Sequence, residues 1–587
     1  MALNALVSER VAQQFAGRDI PCELDSALPV AADLVLPPRL LGPTAHRWGA
    51  ASGTPARRSP ALGAAAPQSL SIDLTDPEAA ASASLQWPLD LAPGERATVH
   101  LLLPLAGQPA PLLDAAAADA RIDAVATAWA QRLNRVGLSL PAAAQPLHHS
   151  LRSALSHILM SRDGPALQPG TRSYARSWIR DGAMMVAGLL RLGEIDAARD
   201  FVDWYAGKLF ASGKVPCCVD ARGADPVAEN DSHGQFIFAV AEVWRYTGDN
   251  AWLASRWPQV DAAVRYQAGL SQSERSDANR LPARQAFFGM MPASISHEGY
   301  SAQPMHSFWD NFWALAGWRD AARLARALGQ VARADALDEE HGRFRSELQA
   351  SLAATMAQHA IPHLPGAAEL GDFDPSSSTL IFSPAGAEHL VPQAALDATW
   401  QRYWDEAQRR MPGSPNAGSD WLDYTPYELR SVSALLRLGH ADRTLAMLDF
   451  FHRDQRPAGW NHWAEVVGRL PREPRFIGDM PHAWISSDYI RSALDLLAFE
   501  RDSDRALVLA AGVPIDWLRS GPVAVQGLGT SFGKLTYRLA LAGDHLQLTL
   551  GGRLSEPPGG LWLQWQGRLH RVPAGATAWA LPLGDQP

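Results

Sequence analysis

Three segments of this sequence place ionisable side chains among aromatic ones at the predicted start of a helix. The first is SYARSWIRDGAMMVAGLL, in which Trp178, Arg180 and Asp181 come directly before an apolar helical run. An Asp at that place is often a plain helix N-cap. Trp, Arg and Asp together favour a different interpretation, because an indole stacks on a sugar ring while the charged groups bind its hydroxyls.

The second segment is GMMPASISHEGYSAQPMHSFWDNFWALAGWRDAA. Glu298 lies in a predicted loop, and Trp309 and Asp310 open the helix that follows. An acidic residue in a glycine-containing loop is commonly just solvated. The neighbouring His297 and Tyr300, however, create the polar-aromatic surroundings that are typical of a general acid.

The third segment is GWNHWAEVVGRLPREPRFIGDMPHAWISSDYIRSALDLL. Trp463 and Glu465 belong to one cluster, and His482 leads into the next predicted helix. Alternatively, Glu465 is the salt-bridge partner of Arg469 or Arg472. Such a salt bridge would contribute little to stability if it were exposed.

Two further acidic loops give weaker signals. In PVAENDSHGQF, Asp231 and His233 precede a predicted helix, and Asp231 is either an N-cap or a ligand of a sugar hydroxyl. In GSDWLDYTPYE, Trp421 belongs to a segment that resembles a loop lining a cleft.

Two carboxylates far apart in sequence are what the hydrolysis of a glycosidic bond requires. One protonates the leaving oxygen, and the other activates a water or attacks the anomeric carbon. A catalytic zinc is disfavoured because the sequence has no His pair at i, i+4 with a third ligand. The serine-hydrolase signature G-x-S-x-G is absent as well. We therefore expect neither a metal nor a cofactor.

The elements that must position these residues are predicted to be helical hairpins over residues 111–503. The clearest units are LLRLGEIDAARDFVDW, with a stop at Gly193, and LLRLGHADRTLAMLDF, with a stop at Gly439. Looser versions cover 240–257 and 321–340. An open solenoid and a closed toroid both use this pattern, and spacing alone does not choose between them. About six hairpins of typical helix and loop length would close into an (α/α)6 barrel.

The two ends of the chain carry strand-like patterns instead. The runs at 70–76 and 96–105 predict a β-rich, sandwich-like domain with a long loop over residues 1–110. Alternating runs after Arg501 predict a small β-domain over 504–587. The predicted fold class is mainly α, with a helical barrel flanked by two β-rich domains.

Composition narrows the class of partner. The chain has 587 residues, of which 47% are hydrophobic and 19% are charged, and a formal net charge of -9 without a basic run. Nucleic acid is therefore disfavoured as the main partner. No stretch of about 18 apolar residues predicts a membrane span. The cysteines Cys22, Cys217 and Cys218 form no disulfide framework.

The expected location follows from the first residues, MALNALVSERVAQQF. Glu9 and Arg10 stand where a secretory leader needs an apolar run, so we expect a cytoplasmic protein. A periplasmic or secreted location is the expectation if a leader precedes Met1. The sequence does not predict the oligomeric state of the protein.

The three segments, in this order, resemble the six-hairpin glycosidases, and most closely the glucoamylase-like enzymes of glycoside hydrolase family fifteen. The resemblance covers roughly 145–500. Trp178 to Gly182 looks like the family's W-x-R-D-G start, and the loop of Glu298 looks like its general-acid turn. The element Glu465-Val466-Val467, followed by Gly478 to Ala483, looks like its general-base region. This chain departs from the family's Asn-Phe-Pro-Gln-Ala with Asp-Met-Pro-His-Ala at 479–483.

The resemblance implies an exo-acting, anomer-inverting hydrolase that releases a terminal, glucose-like and α-linked sugar from an oligosaccharide or glycoside. Glu298 would be the general acid and Glu465 the general base. The predicted sugar-binding residues are Trp178, Arg180, Asp181, Asp231, His233, Trp309, Asp310, Trp421, Trp463 and His482. A glycoside phosphorylase, an isomerase or epimerase, and a catalytically silent carbohydrate-binding protein on the same barrel are the alternatives.

Overall fold

The structure is a computed structural model that describes residues 115–413, 423–470 and 475–583, together with Pro93 and the strands at 31–35, 68–71 and 100–102. It divides into two compact units, Met1–Arg132 and Leu133–Pro587. The domain bounds given by the sequence patterns remain a prediction.

Three short strands are described in the first unit. They are β1 (Ala31–Val35), β2 (Gln68–Ser71) and β3 (His100–Leu102), and both of their pairings are antiparallel in the order β2-β1-β3. The runs predicted as strands at 70–76 and 96–105 overlap β2 and β3. Helix α1 (Ala115–Leu133) follows them along the chain.

Helices make up most of the regular structure from residue 133 to about 495. Their bounds are α2 (Gln145–Met160), α3 (Ile179–Arg191), α4 (Ile195–Ala206), α5 (Ser232–Thr247), α6 (Asn250–Glu274), α7 (Phe308–Ala327), α8 (Val331–Gln358), α9 (Pro375–Ser378), α10 (Gln393–Gln408), α11 (Leu429–Arg437), α12 (Ala441–Arg453) and α13 (Ala483–Asp495).

The odd-numbered helices from α3 to α13 contact one another in sequence order, and α13 returns to contact α3. The even-numbered helices pack against these, with α2 on α13, α4 on α3, α6 on α5 and α7, α8 on α7, and α12 on α11. Every residue of α3 from Ile179 to Leu190 is buried, as expected for a helix that is surrounded by others. In α8 the buried residues instead recur at helical spacing on one face, including Leu337, Phe344 and Leu348.

All four helical hairpins that the sequence predicts are present, and each turns at a glycine in the left-handed region. These glycines are Gly193 (φ +81°), Gly248 (φ +65°), Gly329 (φ +74°) and Gly439 (φ +86°). Glycine adopts this conformation without the steric cost that a Cβ atom adds, so it ends one helix and lets the chain reverse into the next.

The C-terminal region contains the predicted strands in two sheets. One sheet has the order β15-β12-β11-β10-β4, and the other β14-β13-β9-β8. Their bounds are β4 (Gly137–Ser139), β8 (Ala498–Arg501), β9 (Ala506–Leu509), β10 (Val523–Thr530), β11 (Gly533–Ala542), β12 (His545–Leu554), β13 (Leu561–Trp565), β14 (Arg568–Arg571) and β15 (Ala578–Pro582). Strand β4 pairs with β10, although it precedes the helical region in sequence. Helix α14 (Ile515–Ser520) connects β9 and β10.

A small sheet lies within the helical region. It contains β5 (Ser177–Trp178), β6 (Cys218–Asp220) and β7 (Gly223–Ala224) in that order. In the described ranges, no helix combines the length and the apolar character that a bilayer crossing requires.

Candidate active site

The contact between α13 and α3 completes the ring of helices. The N-terminal ends of these two helices lie at one cavity of about 260 Å³. The predicted site residues that line it are Trp178, Arg180, Asp181, Glu298, Glu465 and His482. They come from the start of α3, the loop before α7, the segment before α13 and the N-cap of α13. A helix N-terminus carries partial positive charge, so this end of the ring suits a site that is rich in carboxylates.

Trp178 is held between a strand pairing and a packed thiol pair. It pairs with Cys218 in the small sheet, and the backbone N–H of Ile179 donates to the Cys217 carbonyl oxygen at 3.0 Å. Its ring packs against Cys217 and Cys218, with Tyr174 beside it. These contacts set the direction in which α3 leaves the sheet and in which Arg180 enters the cavity wall.

Arg180 is buried among carboxyl groups. Its Nη1 lies 2.5 Å from an oxygen of Glu229 and 3.9 Å from one of Asp231. Its Nη2 lies 3.7 Å from Glu298, and its Nε lies 3.7 Å from Asp181. A buried guanidinium needs such partners to offset its lost hydration, and here it links the start of α3 to the Glu298 loop.

Asp181 is one of the residues that line the cavity, and its Oδ2 lies 3.7 Å from the Nε of Arg180. It is buried, and within the described part of the chain no group donates a hydrogen bond to its Oδ2. Burial raises the pKa of Asp181 to about 8 although Arg180 lies beside it, and the carboxyls of Glu298 and Glu465 act in the same direction as burial.

Glu298 extends from a loop, and its side chain is 49% exposed. Its Oε1 accepts a hydrogen bond from the Trp178 indole N–H at 3.1 Å. Its backbone has φ +65°, which is uncommon for a residue other than glycine. The carboxylate of Glu298 therefore faces the cavity, while the backbone of this residue is held in a less favoured conformation.

The loop that carries Glu298 ends at a buried ionic cluster at the start of α7. His306 Nδ1 lies 2.5 Å from Glu369, and its Nε2 lies 3.6 Å from Glu274. Burial alone would lower the pKa of His306, but its bonds with these two carboxylates raise it to about 9. The imidazolium is thus the stable form at neutral pH, and it fixes one end of the loop.

Glu465 is held by two phenols. Tyr174 Oη donates to its Oε2 at 2.5 Å, and Tyr427 Oη donates to its Oε1 at 3.1 Å. Burial is the largest influence on Glu465 and raises its pKa above the usual value, although the two hydroxyl bonds act in the opposite direction. Gly478 packs so closely against this side chain that a Cβ atom on residue 478 would overlap the carboxylate.

Asp479 fixes the loop that carries Tyr174. Its carboxylate accepts hydrogen bonds from the backbone N–H groups of Arg172 (2.9 Å), Ser173 (3.0 Å) and Tyr174 (3.3 Å). Gly170 approaches the same carboxylate too closely for a Cβ atom. The residue after Gly478 therefore positions one of the two phenols that hold Glu465.

His482 caps α13 and lines the cavity. Its Nδ1 accepts the backbone N–H of Ile485 at 3.5 Å, which leaves the ring proton on Nε2. Burial lowers the pKa of His482 to about 3. At neutral pH this residue is an uncharged hydrogen-bond donor in the cavity wall.

Arg430 forms the part of the wall that the sequence interpretation missed most completely. It lies 4.7 Å from the ring of Trp484 and 5.1 Å from that of Tyr427, and its Nη2 is 2.7 Å from Asp488. Cation–π contacts and the ion pair stabilise a buried guanidinium there. Only the aromatic-acidic composition of the segment DYTPYELR signalled that it faces a site.

Five of the predicted sugar-binding residues are buried behind the cavity lining. Asp231 accepts the Trp309 indole N–H at 2.8 Å, so these two bind each other. Asp310 accepts two serine hydroxyls. His233 stacks on Tyr266 at 4.9 Å between ring centroids, and burial lowers its pKa to about 3.

The fifth is Trp463, whose indole N–H donates to the Phe451 carbonyl oxygen at 2.8 Å. None of these five residues is among those that line the cavity. Trp421 lies outside the described residues.

One group of side chains in the described ranges has donors close enough to share a cation. Cys217, Cys218 and Asp225 offer three ligand atoms within 4.8 Å of one another. The two thiols lie 3.1 Å apart, and Arg176 already pairs with Asp225 at 3.3 Å. A structural zinc site uses four ligands, so these contacts fit a packing role behind Trp178 better.

No protein-family model matches this chain, and no curated protein matches it in sequence. Its fold, however, is similar to that of solved glycosidases. The crystal structure of a GH78 family rhamnosidase of Bacillus sp. GL1 aligns with a TM-score of 0.52 at 14% identity, over 73% of this chain and 42% of that one. At 14% sequence identity, this similarity describes the fold and not the activity.

Two further structures have lower scores. An α-L-rhamnosidase from Dictyoglumus thermophilum aligns with a TM-score of 0.48 at 10% identity, over 73% of this chain and 45% of that one. A protein named only as a wild-type glycosidase aligns with a TM-score of 0.43 at 16% identity, over 61% and 98%. The chain thus spans less than half the length of both rhamnosidases. None of the three is named as a glucoamylase, so the resemblance to family fifteen remains a prediction.

Proposed function

We propose that this chain is an exo-acting, anomer-inverting glycoside hydrolase whose helices form an (α/α)6 barrel. The closed order of contacts from α3 to α13 and back to α3 supports the barrel. The fold that it shares with a rhamnosidase supports the enzyme class.

The observation that carries the proposal is that Glu298 and Glu465, 167 positions apart in sequence, line one cavity. Glu298 is the general acid, because its side chain is half exposed and lines the open part of the cavity wall. Glu465 is the general base, because phenol hydroxyls donate to both of its oxygens and thereby favour the carboxylate form. An inverting mechanism requires the two carboxyl groups to be about 6.5–9.5 Å apart, with the attacking water between them.

The cavity is suited to one neutral sugar ring. Its volume of about 260 Å³ falls below the range of about 300–1,000 Å³ that is typical of sites for drug-sized ligands, which favours an exo-acting enzyme. Carboxyl groups outnumber guanidinium groups in its wall, so an anionic sugar is disfavoured. Arg180, Asp181 and the neutral His482 bind the hydroxyls of a terminal sugar, and Trp178 provides an apolar face.

The substrate within this proposal is a glycoside or oligosaccharide with a terminal, glucose-like and α-linked sugar. The family resemblance at Trp178 to Gly182 and around Glu465 supports this choice. α-L-Rhamnosides form the first comparison set because of the structural similarity reported above.

The test is a screen of aryl glycosides and oligosaccharides with NMR detection of the anomer that is released first. The expected result is hydrolysis of one sugar series, with the first product in the anomeric configuration opposite to that of the substrate. Release of the same anomer as in the substrate would overturn the inverting mechanism. Turnover that requires inorganic phosphate would identify a phosphorylase, and binding without turnover a silent carbohydrate-binding protein.

A further inference from the structure

The loop that carries Glu298 is closed at its base and unfavourable at its tip. Ser294 and Met305 exchange backbone hydrogen bonds of 3.0 Å in both directions. Between them, Ser296 has φ +54° and Glu298 has φ +65°. Left-handed conformations of residues other than glycine cost on the order of 1 kcal/mol or more and persist only where the surroundings impose them.

Asp310 contacts this loop through the hydroxyls of two of its serines. It lies in the first turn of α7 and is fully buried. Its Oδ1 accepts the Ser296 hydroxyl and its Oδ2 accepts the Ser294 hydroxyl, both at 2.7 Å. The Ser294 hydroxyl oxygen in turn accepts the backbone N–H of Ser296 at 2.8 Å. Both oxygens of Asp310 are thus occupied by the loop, and Asp310 does not line the cavity.

A second set of contacts holds the loop from the opposite side. His297 Nε2 lies 2.7 Å from the Ser377 hydroxyl oxygen, and the Tyr300 hydroxyl donates to Asp372 at 3.0 Å. His297 and Tyr300, which flank Glu298 and Gly299 in sequence, are therefore both fixed. Ser377 lines the cavity and Asp310 does not, so a substitution of Asp310 leaves the cavity wall unaltered.

We propose that Asp310 is a positioning residue for the general acid, and that it acts through Ser294 and Ser296 to hold Glu298 in the conformation that directs its carboxyl into the cavity. This inference rests on the proposed glycosidase function. It replaces the expectation that Asp310 binds sugar directly. Without the anchor, Ser296 and Glu298 relax toward ordinary backbone angles, and the acid moves away from the glycosidic oxygen.

The experiment compares two substrates of the same sugar, a methyl glycoside and the glycosyl fluoride, using the sugar that the screen identifies. Methanol leaves only after protonation by the general acid, whereas fluoride leaves without it. The variants are Asp310→Asn and the double variant Ser294→Ala/Ser296→Ala. Since general acid catalysis contributes about 10²–10⁴-fold, we expect kcat on the methyl glycoside to fall by about 10- to 100-fold and kcat on the fluoride to change by less than about 3-fold.

The matched control is Ser351→Ala. Ser351 is equally buried, and its hydroxyl donates to the Ala286 carbonyl oxygen, so this variant loses a buried hydrogen bond outside the loop. Its ratio of activities on the two substrates should equal that of the wild type. If Asp310→Asn does not fold, the double serine variant carries the test alone.

An equal loss on both substrates would overturn the positioning role, because general misfolding or altered binding affects both. Full activity of the double serine variant on the methyl glycoside would overturn it as well. A wild-type protein that hydrolyses neither substrate would instead refute the proposed function, so the two failures are distinguishable.

Discussion

The two glutamates in the cavity are held in opposite ways. Glu298 extends from an exposed loop whose anchors are ionisable groups, namely Asp310 below it and the ionic cluster of His306 at its end. Glu465 is partly buried and is held by the uncharged phenols of Tyr174 and Tyr427. Glu298 is thus fixed mainly through the backbone of its loop, and Glu465 through its carboxylate.

This difference matters because the two roles require different freedom. An acid must approach the oxygen of a departing group, so a half-exposed carboxyl on a fixed backbone is suitable. A base must stay ionised and hold a water at a set distance, and donors to both of its oxygens favour its ionised form. The environment, rather than the type of side chain, assigns the two roles.

The largest expected effect separates the glutamates directly. On a methyl glycoside, both Glu298→Gln and Glu465→Gln should lower kcat by about 10²–10⁴-fold, because each removes one half of the acid-base pair. On the glycosyl fluoride, Glu298→Gln should retain most of the activity and Glu465→Gln should not. Steady-state rates on both substrates test this. Equal losses on the fluoride would remove the distinction between the two roles.

A smaller effect should come from Gly478→Ala. The new Cβ overlaps the Glu465 carboxylate and must displace it, so we expect a loss in kcat of about 10-fold or more, since small shifts of a catalytic group are costly. Gly459→Ala is the matched control. Gly459 also has a positive φ, of +83°, but open space surrounds its Cβ position. That variant should lose stability and keep its kcat, and equal kcat losses would contradict the contact with Glu465.

The smallest effect concerns the pH profile. The Tyr174 hydroxyl bond lowers the pKa of Glu465, so its removal in Tyr174→Phe should raise that pKa. The base then becomes protonated at higher pH, and the acidic limb of kcat/KM should move upward by about one pH unit, the equivalent of one hydrogen bond to a charged group. Tyr205→Phe is the control, because Tyr205 donates to a backbone carbonyl. An unchanged or downward-shifted limb in Tyr174→Phe would contradict the role of the phenol.

Much of the fold was predictable because its signals are local. The left-handed glycines Gly193 and Gly439 mark hairpin turns that the sequence already shows as repeated LLRLG units. The alternating runs after Arg501 became strands, with β11 and β12 joined at Gly543. Periodicity and turn chemistry were sufficient for both regions.

The cavity was predictable only in part, because its contacts are not local. The order of the motifs was enough to predict that Glu298 and Glu465 share one site. The hydrogen bond between Tyr174 and Glu465 joins residues 291 positions apart, and the sequence around neither residue indicates this pairing. Asp310 stands at a helix start next to a glutamate loop, which looks like a ligand-binding position. Sequence alone does not show that its carboxylate points beneath the loop, toward Ser294 and Ser296.

The pairing of strand β4 with β10 affects how the chain folds during its synthesis. Residues 137–139 pair with β10 near residue 525, and α3 contacts α13, which begins at Ala483. During synthesis these early segments therefore wait for more than 300 later residues to leave the ribosome. Contacts of such long range form slowly, and the buried face of α3 stays open to other chains in the meantime. His482 and Trp484, which complete the cavity wall, can thus pack against α3 only after most of the chain has been made.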